Sequence, residues 1–220
     1  MAHVIPIHKL TLGQMMARND EYGGLAEGLS QFGVPDQIRI GKRKYAVPQT
    51  MDEFTGNICY GQRMFFARDE PNDYGVIVRV IDGYYYPIVT GKKWDQDCAL
   101  LFGKIVLTCV VQDLYPVVIH IINLIGEMIT REQKLLHREP SKVELAAGVE
   151  KLNVFAEMSA LNFLRDSMKI TVGEVLLTPY NECLVRFMHE KATQDFNRQY
   201  ADLLNQEYKA KNKKHGRSET

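Results

Sequence analysis

From Ile105 to Ile129 the chain is strongly apolar, yet Gln112, Asp113, Pro116, His120 and Asn123 interrupt it. Its longest charge-free stretch, Leu114 to Gly126, is shorter than the ~20 residues that cross a bilayer. A central core helix is therefore expected there, and not a membrane span. That helix is predicted from Leu114 to His137, apolar nearly all round in its first half and polar in its second. Ile121, Ile122, Leu124 and Ile125 fall in the buried half. A preceding helix is expected from about Asp95 to Val111.

Helix starts are marked by Ser or Thr followed three positions later by Glu or Gln. The pairs at apolar onsets are Thr11/Gln14, Thr50/Glu53, Ser141/Glu144 and Thr171/Glu174. In such a pair the hydroxyl accepts from the N3 amide and the longer side chain reaches back to the N-cap amide. Thr130/Gln133 has the same spacing but lies inside a predicted helix. Thr178-Pro179 adds a further start, with proline at the first helical position. A helix from Thr50 carries Phe54, Ile58 and Phe65 as far as Asp69-Glu70-Pro71. The helix from Ser141 is expected to bury Val143, Ala147, Leu152, Phe155 and Leu164 on one side. A short helix from Thr171 leads to the last one, Pro179 to about Lys209, whose stripe continues through Phe196, Tyr200, Leu203 and Leu204. At 1.5 Å per residue it spans roughly 45 Å, more than a domain of this size needs, so its base should pack and its tip project.

Two segments favour strand. Gln37–Val47 alternates weakly around Gly41 and predicts a small hairpin ending at Pro48. Tyr74–Val89 is rich in β-branched residues and Tyr84-Tyr85-Tyr86, which suits a strand, while the pairs Val76/Val80 and Ile77/Ile81 suit a helix. Helix is preferred, with strand as the alternative. The fold class is thus mainly α: a multi-helix bundle with a small β-hairpin near residues 37–47 and a long C-terminal helix. Residues 1–36 form a peripheral N-terminal arm with a glycine-rich link at Gly23, Gly24, Gly28 and Gly33. Residues 37–208 form the helical domain. Residues 209–220, with five basic side chains and one acid, form a basic flexible tail.

With 220 residues and 45% hydrophobic content the chain can bury a substantial core. Its 27 basic and 27 acidic residues cancel, which argues against a surface matched as a whole to nucleic acid. Cys59, Cys98, Cys109 and Cys183 show no CxxC spacing and are expected to be reduced core thiols. The start, Met-Ala-His-Val-Ile-Pro, has neither the basic region nor the apolar stretch of a signal peptide. Synthesis in a reducing cytoplasm follows as the expectation.

Candidate chemistry is sparse. Gly91-Lys92-Lys93 has Tyr86 where a phosphate loop needs its first glycine and Lys93 where it needs Ser or Thr, so a polar turn is expected. His189-Glu190 would need a second histidine at 193 to hold zinc, and Thr193 stands there. His120 reads as a satisfied core histidine. No Gly-x-Ser-x-Gly elbow occurs. No catalytic, cofactor-binding or metal-binding residue is assigned, and no cofactor or enzymatic activity is expected. Arg39, Lys42, Arg43 and Lys44, on the predicted hairpin, suit phosphate, an acidic protein surface or an ordinary solvated tip. Tyr84-Tyr85-Tyr86 is expected in the core or an interface. The far end of the last helix supplies the interface candidates Phe196, Tyr200, Leu203 and Leu204, because a row of apolar groups where intramolecular partners become scarce marks a contact surface.

Three phrases carry a resemblance: Ile-His-Lys-Leu-Thr-Leu-Gly-Gln at 7–14, Tyr-Tyr-Tyr-Pro-Ile-Val-Thr-Gly-Lys-Lys-Trp-Asp at 84–95, and Val-Gly-Glu-Val-Leu-Leu-Thr-Pro-Tyr at 172–180. The chain resembles small helical virion or assembly proteins of tailed bacteriophages, especially the crAss-like group. The resemblance implies a non-enzymatic structural subunit of the virion, at the portal or tail as a head-to-tail ring or connector component, or else a cargo protein or tail-assembly chaperone. It implies a homo-oligomeric ring and other virion proteins as partners, with the protein made in the host cytoplasm and housed in the virion. Nucleic acid is not favoured as a partner and a membrane is not expected. A reading of another class is a cytoplasmic helical adaptor that binds nucleic acid through the basic hairpin.

Overall fold

The computed structural model describes residues 6–17, 28–29, 32–68 and 73–215. Gly23, Gly24, the Asp69-Glu70-Pro71 boundary and the last residues of the tail lie outside that set. Among the described residues the protein is mainly α, with ten α-helices and one two-stranded sheet. The helices are α1 (Leu12–Ala17), α2 (Met51–Gly56), α3 (Tyr60–Phe66), α4 (Asp73–Thr90), α5 (Gln96–Val106), α6 (Val111–Leu136), α7 (Lys142–Ala146), α8 (Ala156–Met168), α9 (Val172–Leu177) and α10 (Tyr180–His215). Strands β1 (Gln37–Ile40) and β2 (Arg43–Ala46) form the expected hairpin, pairing Arg39 with Lys44 and Ile40 with Arg43.

All four predicted caps form. Glu53 N donates to Thr50 Oγ1 at 3.2 Å while Thr50 N donates to Glu53 Oε2 at 3.3 Å. The same reciprocity joins Thr11 to Gln14, Ser141 to Glu144 and Thr171 to Glu174. Thr130 instead donates its hydroxyl to the Gly126 carbonyl inside α6, the back-bond available to a mid-helix threonine. Tyr74–Val89 lies in helix α4, the preferred reading. Pro87 sits within it and has no N–H for the Gly83 carbonyl; Gln62 Nε2 donates to that carbonyl instead, at 2.6 Å. Tyr84, Tyr85 and Tyr86 are all buried. Gly91, at φ 67°, then turns the chain out of the helix.

Helix α6 is the axis of the core. At 26 residues it is about 39 Å long, and it is the one helix among those described with the length and composition to cross a membrane. Its buried side runs Val111, Leu114, Val117, Val118, Ile121, Leu124, Ile125 and Met128, packed within the main core. Ile122 is half-buried, and the second half is largely at the surface. Leu124→Ala should cost about 3 kcal/mol, the usual penalty of a core cavity. Urea unfolding measures it, and a loss under about half a kcal/mol would place Leu124 at the surface.

Four expectations are corrected, the first three by a non-local contact or a backbone break. The single helix from Thr50 is two, α2 and α3, because Ile58–Tyr60 is claimed by the chain at Thr178–Tyr180. Tyr60 N donates to Thr178 O at 2.9 Å and Tyr180 N to Ile58 O at 3.0 Å. The helix expected up to Val111 stops at Val106, since Leu12 N donates to Cys109 O and Val111 N to Leu10 O. Those bonds dock the described part of the N-terminal arm, where Leu10, Leu12, Met15 and Leu29 are buried in the main core. The helix from Ser141 ends after Ala146, and Gly148 at φ 81° turns the chain into a 3₁₀ segment, Val149–Phe155. Of the five residues expected to be buried there, only Leu164 is; Val143, Ala147, Leu152 and Phe155 are exposed, because the break at Gly148 ends the shared face. Finally, α10 runs past Lys209 to His215, so the basic tail begins as helix.

Candidate interaction surfaces

The base of α10 is held firmly. Tyr180 and Leu184 enter the main core, Cys183 enters a second cluster with Leu161, Leu164 and Val175, and Phe187 stacks on Phe163 at 5.4 Å. Lys191 Nζ donates to the Leu135 carbonyl at 3.0 Å, near the end of α6. Beyond Asp195 every residue to Ala210 is exposed. Phe196, Tyr200, Leu203 and Leu204 lie together on this free length, joined by Tyr208, with exposures of 65%, 55%, 60%, 36% and 64%. The Phe196 and Tyr200 rings stack on each other, 6.1 Å apart and 10° from parallel. At 3.6 residues per turn the row lies roughly 150° around the axis from Tyr180, Cys183, Leu184 and Phe187. It faces away from its own domain.

A second apolar surface was missed by the sequence reading. Val143, Leu152, Val154, Phe155 and Met158 are all more than half exposed, with Val154 at 85%. They lie on α7, the 3₁₀ segment and the start of α8; α7 packs on the 3₁₀ segment, and α8 packs on that segment and on α9. The signal was present in the sequence as Gly148 between two apolar runs, but the cap at Ser141 pointed to a single amphipathic helix.

Beside this patch a cleft of about 240 Å³ opens between α3, α6, α8 and α10, lined by Met64, Leu136, Ala160, Leu184 and Phe187 among others. Its polar floor is an ion pair. Arg63 Nε donates to Glu132 Oε1 at 2.9 Å and Oε2 at 3.1 Å, and Arg63 Nη2 donates to Oε2 as well. The planar guanidinium matches the carboxylate with two parallel bonds, which fixes α3 against α6. Tyr180, also lining the cleft, holds its hydroxyl buried beside the Glu132 carboxylate. Burial, with the Glu132 carboxylate beside it, pushes that phenol upward. Tyr60 is pushed up to about 12, mainly by burial. Burial keeps both phenols protonated near neutrality, and the cleft combines an apolar wall with the Arg63–Glu132 pair.

The basic cluster is real but separate. Arg39, Lys42, Arg43 and Lys44 are exposed, and none pairs with a carboxylate among the described residues. Arg39 and Lys44 stand opposite each other across the strands, a like-charge pairing that is mildly destabilising. Ile38 and Ile40 offset it by facing the core, and Tyr85 Oη donates to Ala46 O at 3.2 Å. Gly41, at φ 62°, occupies the first loop position, where a two-residue hairpin of type II′ requires a positive φ. The hairpin lies near the start of α6, where Cys109 Sγ donates to Arg39 O; the α10 contact lies near its end. The structure therefore does not bring the two sets of sequence candidates together.

His120 Nε2 donates to Pro48 O at 2.7 Å, which ties the hairpin exit to α6. All four cysteines are free: Cys109 and Cys183 are buried, with thiols pushed up to about 11 and about 12 by burial, Cys59 is half-buried and Cys98 is exposed on α5. Lys92 and Lys93 form an exposed turn after α4. No group of three or more His, Cys, Asp or Glu among the described residues is placed to hold a metal ion. The chain thus presents two unpartnered apolar surfaces and a basic hairpin, and no protein-family model, curated protein or solved structure matches it.

Proposed function

We propose that this protein is a non-enzymatic structural subunit of a tailed-phage virion, at the portal or tail region, that grips its neighbours through the projecting end of α10. The single observation that carries the assembly role is the row Phe196, Tyr200, Leu203 and Leu204 on a length of helix that no other described residue covers. Monomeric proteins seldom leave so many large apolar groups in one exposed row, and a helix that leaves its own domain spends no stability on self-packing. The virion setting comes from the resemblance of residues 7–14, 84–95 and 172–180. A ring or connector subunit is the leading form, with cargo protein and tail-assembly chaperone as variants of the same reading. Truncation after Lys191 tests it. The shortened chain should keep its melting temperature within a few degrees but fail to enter particles, because the removed length supports little of the fold. Normal incorporation with a large loss of thermal stability would overturn the reading.

A second reading rests on the hairpin, whose four exposed cations have no acidic partner among the described residues. If it binds nucleic acid, affinity for duplex DNA should fall linearly in log K against log salt, with a slope near −0.9 per phosphate contacted. A slope near zero, or no binding at low salt, removes it.

A further inference from the structure

Each copy carries two unpartnered apolar surfaces, and they cannot meet within one chain. The row on distal α10 faces roughly 150° away from the side by which α10 is held, whereas the Val143–Met158 patch and its cleft sit beside that held base. We infer that the distal α10 row of one copy docks on the Val143–Met158 patch of a second copy, with one tyrosine of the row entering the cleft between α3, α6, α8 and α10. This deepens the assembly reading proposed above and rests on it.

Size, area and charge support a second copy as the occupant. An engineered cavity of about 150 Å³ accepts benzene, so a cleft of about 240 Å³ has room for a phenol ring. The row supplies Tyr200 and Tyr208, either of which has a ring of that size. Large aromatics bury about 150–250 Å² each; at the observed exposures the row and the patch together offer on the order of 1,000 Å², the lower bound of a specific interface. Beyond the row α10 ends in Lys209, Lys211, Lys213 and Lys214, while Glu150 and Glu157 flank the patch without ion-pair partners among the described residues. A contact between two different surfaces is head-to-tail: repeated, it closes a ring when the rotation permits and otherwise propagates as a filament.

The head-to-tail geometry makes a mixing test decisive. Mass photometry of the full-length chain is compared with a row variant, Phe196→Glu/Tyr200→Glu, and a patch variant, Val154→Glu/Phe155→Glu. All four sites are exposed, and circular dichroism confirms folding; serine versions serve if a glutamate pair unfolds the chain. The intact chain should form species larger than a dimer, and each variant alone should associate about tenfold or more weakly. Mixed one to one, the variants retain one intact row and one intact patch between them, and should yield a dimer and nothing larger. A mixture that stays monomeric overturns the inference, as does a patch variant that assembles like the intact chain. If the intact chain is monomeric yet the Lys191 truncation still blocks entry into particles, the second-copy inference falls while the virion role stands.

Discussion

Glu132→Ala is expected to destabilise the fold by about 3–5 kcal/mol, the usual cost of leaving one charge of a buried pair uncompensated. The Arg63 and Glu132 side chains are only 22% and 10% exposed and share two-pronged hydrogen bonding. Removing the carboxylate leaves the largely buried guanidinium without its charge partner, beside the apolar wall of Leu136, Leu184 and Phe187. The double replacement Arg63→Met/Glu132→Leu should recover most of the loss, because it removes both charges and fills the space. Urea denaturation of the two single variants and the double measures the coupling directly. A cost below about 1 kcal/mol for Glu132→Ala would show that the pair behaves as a solvated surface bridge.

Asp82→Asn should do the opposite and stabilise the protein, by on the order of 4 kcal/mol at pH 8. Asp82 is 0% exposed on α4, both its carboxylate oxygens lack hydrogen-bond partners, and α5 approaches so closely at Gly103 that an added Cβ would lie 2.6 Å from Asp82 Oδ2. Burial pushes its carboxyl up to about 8 from 3.8. The folded chain therefore keeps a proton that the unfolded chain releases above pH ~4, at about 1.4 kcal/mol per unit of pH. Native stability should fall as pH rises from about 4 to about 8 and level off above that, while the Asn variant loses this slope. The cap carboxylates Glu144 and Glu174 are shifted downward by their hydrogen bonds to Ser141 and Thr171, so their contribution has the opposite sign and grows as pH rises through the acidic range in both proteins alike. Thermal melts of both proteins from pH 4 to 9 decide the matter; parallel profiles would mean that Asp82 is ionised and solvated in the native state.

Elements were legible in the sequence wherever their determinants are local. Caps need two side chains three residues apart, so Thr11, Thr50, Ser141 and Thr171 announced helix starts that the structure reproduces bond for bond. The alternation around Gly41 likewise predicted the hairpin, and the structure turns its Ile38 and Ile40 inward. For Tyr74–Val89 local propensity pointed two ways, and packing decided: Gly83 against Phe66 and Gly103 against Val78 and Asp82 let α4 lie close to its neighbours as a helix. The exposed row at Phe196, Tyr200, Leu203 and Leu204 was legible from length alone, since a helix of that span outruns a domain of this size.

What the sequence by itself determined, then, is the helical class, the capped starts, the hairpin, the core face of α6 and the overlong last helix. Each follows from side-chain periodicity or from hydrogen bonds that close within a turn. Only the tertiary structure decided the break at Ile58–Tyr60, the docking of Leu10 and Leu12 against the α5–α6 turn, the Arg63–Glu132 pair and the exposure of Val143, Leu152 and Phe155. The pairings join groups far apart in the chain: Arg63 and Glu132 are 69 positions apart, and nothing in the local pattern of either names the other. The exposed patch is the converse case. Its residues look like one buried face, but Gly148 turns the backbone at φ 81° and splits them between two elements, and on both sides of the turn the apolar side chains are exposed.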